Sequence, residues 1–223
     1  MLFQKFWSLL NKFLVKNTIL GKTIYILFIK RFLDILFSVM GLVILSPFFI
    51  LIVGLVKIGS KGPAIFKQRR VGRDFKEFYL YKFRSMCVDA DKKGLGVTSS
   101  DDNRITKVGA LLRKTKLDEL PQLINVLKGD MAFVGPRPEL RIYVEKYLNE
   151  YEAILNVRPG ITDYAAISFR DEEDILAKYQ DKEKAYIEEV LPAKITLYKK
   201  YINEMSLGAD FKIIFQTLFK ILC

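Results

Sequence analysis

The longest uninterrupted apolar run lies between Ile35 and Val56, where no charged residue occurs. About 20 apolar residues suffice to span a bilayer as a helix. Pro47, after Ser46, falls near the middle of the run. A proline there lacks an amide donor and crowds the preceding turn, so it bends or breaks the helix. The Ser46 hydroxyl can then serve a carbonyl exposed by the break. Lys30 and Arg31 precede the run, and Lys57 and Lys61 follow it. Positive flanks favour the cytoplasmic side, so both ends are expected there. The pattern predicts a helix–break–helix hairpin that enters one leaflet and returns. A single crossing is the alternative. A secretory signal peptide fits poorly, because the run starts deep in the chain and no small-residue cleavage site follows.

Two other segments carry apolar residues at helical spacing. Residues 1–29 hold Phe3, Phe6, Trp7, Leu10, Phe13 and Leu14 with Lys5, Lys12 and Lys16 interspersed. The end of the chain repeats the pattern with Phe211, Ile214, Phe215, Leu218, Phe219 and Leu222 around Lys212 and Lys220. Each reads as an amphipathic interfacial helix or as a helix packed on the core. Trp7 and the lysines favour the membrane for the first.

Between these lies a mixed pattern. "GPAIFKQRRVGRDFKEFYLYKFRSM" predicts a basic β-hairpin with strands over 64–70 and 75–83 and a turn at Gly72-Arg73-Asp74. Its charge suits a face turned to phosphates, or a solvated edge that deters aggregation. Residues 87–104 are polar and aperiodic and predict a loop. Helices are expected over 104–115, from Asp118 to Lys128 with a stop at Gly129-Asp130, over 139–155 and over 172–190. Pro192 precedes a last helical region. The fold class is α+β: a mostly helical, small, membrane-associated domain with a basic hairpin, a re-entrant segment and amphipathic helices. It divides into an extension over 1–29, the membrane segment over 30–57 and a catalytic or binding part over 58–223.

Composition narrows the chemistry. The 223 residues carry a net charge of +11 and no histidine. The charge calls for a polyanionic partner: nucleic acid, an anionic membrane or a nucleotide. Without histidine the commonest general base and zinc ligand are gone. Cys87 and Cys223, the only cysteines, make neither a metal cluster nor a disulfide framework. Acid–base or nucleophilic work falls to carboxylates, lysines or tyrosines.

"RKTKLDELPQLINVLKGDMAFVGPRPE", residues 113–139, concentrates such groups. Asp118 and Glu119 are adjacent, so on a helix they point about 100° apart. With Asp118 as N-cap, Pro121 stands at a tolerated first-turn position, and the pair sits at the positive helix end, where phosphate also binds. Capping and dipole complementation alone would explain the pair. Arg113 upstream and Arg137 between Pro136 and Pro138 change the picture. An arginine so constrained loses little entropy in presenting its fork to phosphate oxygens.

These residues resemble the bacterial sugar transferase family, the monotopic phosphoglycosyl transferases. The likeness runs from about Lys30 to the end of the chain. "KRFLDILFSVMGLVILSPFFI" resembles the family's membrane segment, with Asp34 and the Ser46-Pro47 break. The hairpin block follows, and then the central signature "LRKTKLDELPQLINVLKGDMAFVGPRPE". "VRPGIT", Val157 to Thr162, and "LGADFKIIFQTLFKIL" complete it. The resemblance implies a re-entrant segment in the bacterial inner membrane with the catalytic part facing the cytoplasm. It implies transfer of a sugar phosphate from a UDP-sugar to polyprenyl phosphate, UMP release, a Mg²⁺ requirement and a covalent intermediate. Asp118 would be the nucleophile and Glu119 its partner, both near the metal. Arg113, Arg137 and Lys82 would contact phosphate, with Arg158 and Arg170 on the substrate side. Asp210 matches an important family aspartate without an assignable role. Membrane lipid is a further partner, and a homodimer is compatible. Asp163-Tyr164 depart from the Gly and Trp or Leu that many members carry after "PGIT", which leaves the sugar open.

Rival readings make different demands. A non-catalytic basic membrane adaptor gives no reason for the acidic pair. A nucleic-acid binder lacks a recognisable motif, and its binding would fall steeply with salt. A conventional glycosyltransferase would release UDP and usually carries a glycine-rich nucleotide turn, which is missing.

Overall fold

The computed structural model describes residues 25–90 and 96–222. The amphipathic segment expected over 1–29 lies, up to residue 24, outside the described residues, as do residues 91–95 of the expected loop.

Helix α1 (Lys30–Ile44) and helix α2 (Ser46–Gly59) form one bent pair, with a 62° bend between them. Pro47 cannot donate to Val43, four residues back, and the Ser46 hydroxyl donates to that carbonyl at 2.8 Å. The expected break is therefore present, with its carbonyl repaired. Among the described residues no single helix is long and apolar enough to cross a membrane, whereas this pair has the length and composition of a broken span or a re-entrant loop. Phe32, Val43, Ile44, Ile50 and Ile58 are exposed. The inner side of α1 is polar: Lys30, Asp34 and Ser38, four residues apart, are buried.

Strands β1 (Ile65–Val71) and β2 (Glu77–Phe83) make the expected antiparallel hairpin. Its turn is longer than predicted and runs from Gly72 to Lys76, with Asp74 and Phe75 both at positive φ. Ile52 and Val56 of α2 pack on Ala64, Phe83 and Leu112, so the end of the bent pair is rooted in the hairpin. Helix α3 (Lys107–Lys114) is capped by the Thr106 side chain. Helix α4 (Gln122–Lys128) ends at Gly129, whose φ of 91° suits glycine. Arg31 donates to the α4 carbonyls of Val126 and Leu127 at 2.6 and 2.9 Å.

Three expectations are corrected. Asp118 is not a helix N-cap: Leu117–Glu119 is a separate 3-10 turn, and α4 starts after Pro121. The helix over 139–155 is two helices, α5 (Arg141–Lys146) and α6 (Leu148–Ile154), divided at Tyr147, whose φ of −131° is not helical. The region 172–190 is also divided. Unforeseen strands β3 (Ala132–Val134) and β4 (Gly160–Thr162) pair in parallel. Helices α7 (Tyr164–Ser168), α8 (Glu172–Leu176) and α9 (Lys182–Ala185) follow. A π-helical turn at Tyr186–Val190 leads into α10 (Leu191–Glu204), and α11 (Leu207–Leu222) ends the chain. Pro192 lies in the first turn of α10, directly after the π-helical turn. The main core joins Tyr143, Tyr151, Leu176, Leu191 and Tyr198. Helix α11 leaves Phe211, Phe215, Leu218 and Phe219 outside and buries Asp210 and Ile213.

Candidate active site

The acidic pair is aimed inward by its backbone. After α3, Lys116 turns the chain through φ 56°, a left-handed conformation that costs a non-glycine residue about 1–3 kcal/mol. Leu117 and Leu120 then pack against the Ile52–Phe83 cluster. The 3-10 turn between them buries Asp118.

The second component comes from the β3–β4 pair. Gly135 donates to Thr162 O at 3.0 Å, and Gly160 donates to Pro136 O at 2.9 Å. The two backbones touch so closely that a Cβ on Gly160 would fall 2.1 Å from Gly135 N. Here glycine is a steric requirement. The crossing fixes Pro136-Arg137-Pro138, and the Arg137 guanidinium forks onto Glu119 at 2.5 and 3.3 Å. Lys82, from β2, donates to the same carboxylate at 2.8 Å. Thus Asp118, Glu119, Lys82 and Arg137 are brought together from three distant parts of the chain.

The electrostatics divide the two carboxylates. Burial pushes Glu119 up, but Arg137 and Lys82 beside it outweigh this and hold it well below the usual glutamate range. Burial also dominates at Asp118, and there it prevails: its pKa is raised, with Glu119 adding to the rise and Lys82, Arg113 and Lys116 opposing it. Burial lowers Lys82. Asp118 Oδ1 is buried and has no hydrogen-bond partner. A buried carboxylate oxygen so placed is costly to keep. It is free to attack an electrophile or to hold a hard cation.

No group of three or more acidic, histidine or cysteine side chains suited to a metal occurs among the described residues. Mg²⁺ does not need one, since it commonly takes one or two carboxylates plus substrate phosphate and water. Asp118 fits that demand through its open oxygen. Both Glu119 oxygens already accept from cations.

The other predicted residues lie elsewhere. Arg113 stands near enough to act on Asp118, but its guanidinium is taken by Glu173, with Nε–Oε1 at 3.1 Å, and by Ser85 Oγ at 3.3 Å. Arg158 donates to Gly129 O at 3.0 Å. Arg170 binds the Lys220 carbonyl near the end of α11. Asp210 accepts from Tyr25 at 2.5 Å, from Tyr201 at 2.8 Å and from Lys30, tying α11 to the start of α1. Ser46 and Pro47 belong to the bend.

Sequence reading missed the role of Asp163. It is fully buried, caps α7 by accepting from Ala166 N at 2.6 Å, and accepts from Arg137 N at 3.2 Å. An Asp directly before a short helical pattern signals the cap. Nothing local signals the second contact, 26 residues away.

Comparison with known proteins adds a family and its relatives. A model of the family described as "Bacterial sugar transferase" matches residues 25–223. The UDP-N-acetylgalactosamine-undecaprenyl-phosphate N-acetylgalactosaminephosphotransferase of Aeromonas hydrophila is 38% identical over 201 residues, 87% of this chain and 44% of the relative. The UDP-glucose:undecaprenyl-phosphate glucose-1-phosphate transferase of Escherichia coli (strain K12) is 41% identical over 196 residues, 86% of this chain and 40% of the relative. The exopolysaccharide production protein PSS of Rhizobium leguminosarum bv. phaseoli is 38% identical over 200 residues, 86% of this chain and 94% of the relative. The chain therefore spans less than half the length of the first two and nearly all of the third.

Proposed function

We infer that this chain, which belongs to the bacterial sugar transferase family, moves a sugar-1-phosphate from a UDP-sugar to undecaprenyl phosphate and releases UMP. The observation that carries the reading is the unpartnered, buried Asp118 oxygen beside a Glu119 clamped by Lys82 and Arg137. The Aeromonas and Escherichia relatives are named for different sugars, N-acetylgalactosamine and glucose, which supports the reaction class and leaves the donor sugar to experiment.

In our reading Asp118 attacks the phosphorus that bears the sugar. An Asp118 O–P bond forms, the bond from that phosphorus to the bridging oxygen breaks, and the electron pair leaves with UMP. An oxygen of the lipid phosphate then attacks the same phosphorus and releases the Asp118 carboxylate. A carboxylate nucleophile divides the transfer into two displacements. UMP is a good leaving group, so no strong acid is required and the absence of histidine is no obstacle. Glu119 stays ionised and holds Lys82 and Arg137 where charge builds on the phosphate oxygens. Mg²⁺, held by Asp118 and substrate phosphate with Glu119 close by, would neutralise part of that charge.

The anchoring of the bent pair supports a re-entrant arrangement. Its start is tied to α11 through Lys30 and Asp210, and its end packs on the hairpin. Both ends thus belong to one protein body, which a bilayer passing between them would divide. We place that body on the cytoplasmic face of the inner membrane, where Lys57 and Lys61 are exposed at the exit. The exposed aromatic residues of α11 suit the lipid surface.

The test is nucleotide release. Purified protein is mixed with undecaprenyl phosphate, Mg²⁺ and a panel of UDP-sugars, beside Asp118→Asn. UMP from one donor, lost in the variant, is the expected result. UDP as product, or an Asp118→Asn enzyme as fast as the native one, would overturn the reading.

A further inference from the structure

The segment that presents Arg137 has one backbone donor. Pro136 and Pro138 have no N–H, so the Arg137 amide is the sole N–H among the three residues. The Pro136 carbonyl is held by Gly160 N at 2.9 Å, and the Pro138 carbonyl accepts from Arg70 at 3.2 Å. The one donor goes to Asp163 Oδ2. The other oxygen of Asp163 caps α7 at Ala166.

Capping alone does not account for this residue. Serine or threonine caps a helix nearly as well without burying a charge, and Asp163 has no exposed surface. Burial opposes its ionisation and pushes its pKa up to about 6, with the Ala166 amide, Lys194 and Arg137 pulling the other way. What aspartate adds over serine is a second acceptor at the right place for Arg137. The guanidinium of that arginine in turn holds Glu119, next to the open Asp118. The path from Asp163 to the reacting centre is therefore Asp163, Arg137 backbone, Arg137 side chain, Glu119.

We infer that Asp163 is a positioning residue of the transfer reaction, which fixes the Arg137 backbone so that its guanidinium meets Glu119. This rests on the proposed function, in which the Glu119 cluster serves the chemistry. A displacement of about 1 Å at a positioned group can cost on the order of 100-fold in rate, and a buried acceptor opposite the segment's one donor is well placed to prevent it.

The test uses substitutions that separate the two oxygens. Asp163→Ser and Asp163→Thr retain a cap for α7 and lose the acceptor for Arg137. The full-length protein is assayed for UMP release with its best UDP-sugar, and thermal unfolding is followed on the same samples. The expected result is a kcat lower by about tenfold to 100-fold, a KM for the UDP-sugar within about twofold, and a Tm within about 3 °C of native. A merely structural residue would lower Tm and leave the kcat of the folded fraction intact. A native kcat in either variant, while Asp118→Asn is inactive, overturns the inference and leaves the reaction standing. A parallel fall of kcat and Tm in both variants also overturns it. An active Asp118→Asn instead removes the proposed function itself.

Discussion

Two glutamates in this molecule, the partly buried Glu119 and the buried Glu139, are built from the same parts. Glu119 is held by one lysine and one arginine, Lys82 and Arg137. Glu139 is also held by one lysine and one arginine, Lys194 at 3.1 Å and Arg70 at 3.4 Å. At each, burial raises the pKa and the paired cations overcome it, so both are held low. The surroundings differ. Glu139 also accepts from Tyr198 at 3.4 Å, Lys194 donates to Tyr186 and pairs with Glu172, and Glu139 and Lys194 themselves are buried beside the aromatic core. Beside Glu119 stands Asp118 with an oxygen that no group satisfies, and Arg137 and Lys82 keep 29% and 20% of their side-chain surface in solvent. A buried ion cluster closed by hydroxyls is a strut. The same cluster left one donor short and partly open is what we propose as the reaction centre.

The largest effects should fall on opposite properties. Asp118→Asn is expected to lower UMP release by about 10³-fold or more and to unfold no earlier than the native chain, because it removes a charge that burial disfavours. Glu139→Gln should leave Lys194 buried with its main counter-charge gone. Breaking such a pair costs about 3–5 kcal/mol, to be read from denaturant unfolding. If Glu139→Gln were stable and inactive, it would be the core cluster that serves the chemistry.

Proton linkage separates the two surroundings next. Glu139 has a lowered pKa in the fold, so its contribution is present above the usual glutamate range and is lost as pH falls through the lowered value. Asp163, tied to the other cluster, has a raised one. The folded state keeps its proton after the unfolded chain has lost it, so its contribution is present below about pH 4 and is lost as pH rises to about 6. That difference of about two pKa units corresponds to roughly 3 kcal/mol. Unfolding free energy measured between pH 4 and 7 should fall more in the native chain than in Asp163→Asn. Equal slopes would show that Asp163 does not titrate in this window.

What was legible in the sequence is what depends on neighbours along the chain. The Ser46-Pro47 break follows from one missing amide, and the hairpin, the Gly129 stop and the acidic pair follow from local patterns. The bent helix pair and the Arg137-between-prolines motif were visible for the same reason. The aim of the acidic pair was misread, because it depends on Lys116 adopting a left-handed turn that lysine does not advertise. Strands β3 and β4, three residues each, carry no period and exist because two glycines let their backbones touch. Arg113, read as a phosphate contact, is paired with Glu173, 60 residues on. The basic flank Lys30-Arg31 was read as a topological signal and is used inside the protein, on Asp210 and on the end of α4. Ion clusters that join residues 37, 55 and 69 positions apart leave no local trace.

The smallest effect tests whether burial is what separates these clusters from an ordinary ion pair. Lys199 of α10 contacts Glu150 of α6 with the same chemistry as Lys194 and Glu139, but the two side chains are 44% and 41% exposed. Water and salt screen such a pair, and holding two long side chains together costs entropy. Lys199→Ala should therefore change the unfolding free energy by less than about 1 kcal/mol, and the difference should shrink further in high salt. It should leave UMP release at the native rate. A loss as large as that of Glu139→Gln would mean that charge pairing by itself, at any depth, holds α10 to its neighbours, and the buried position of Glu139 would then explain nothing. A small loss leaves depth as the variable: the surface pair contributes little, and the buried Lys194–Glu139 cluster holds the fold.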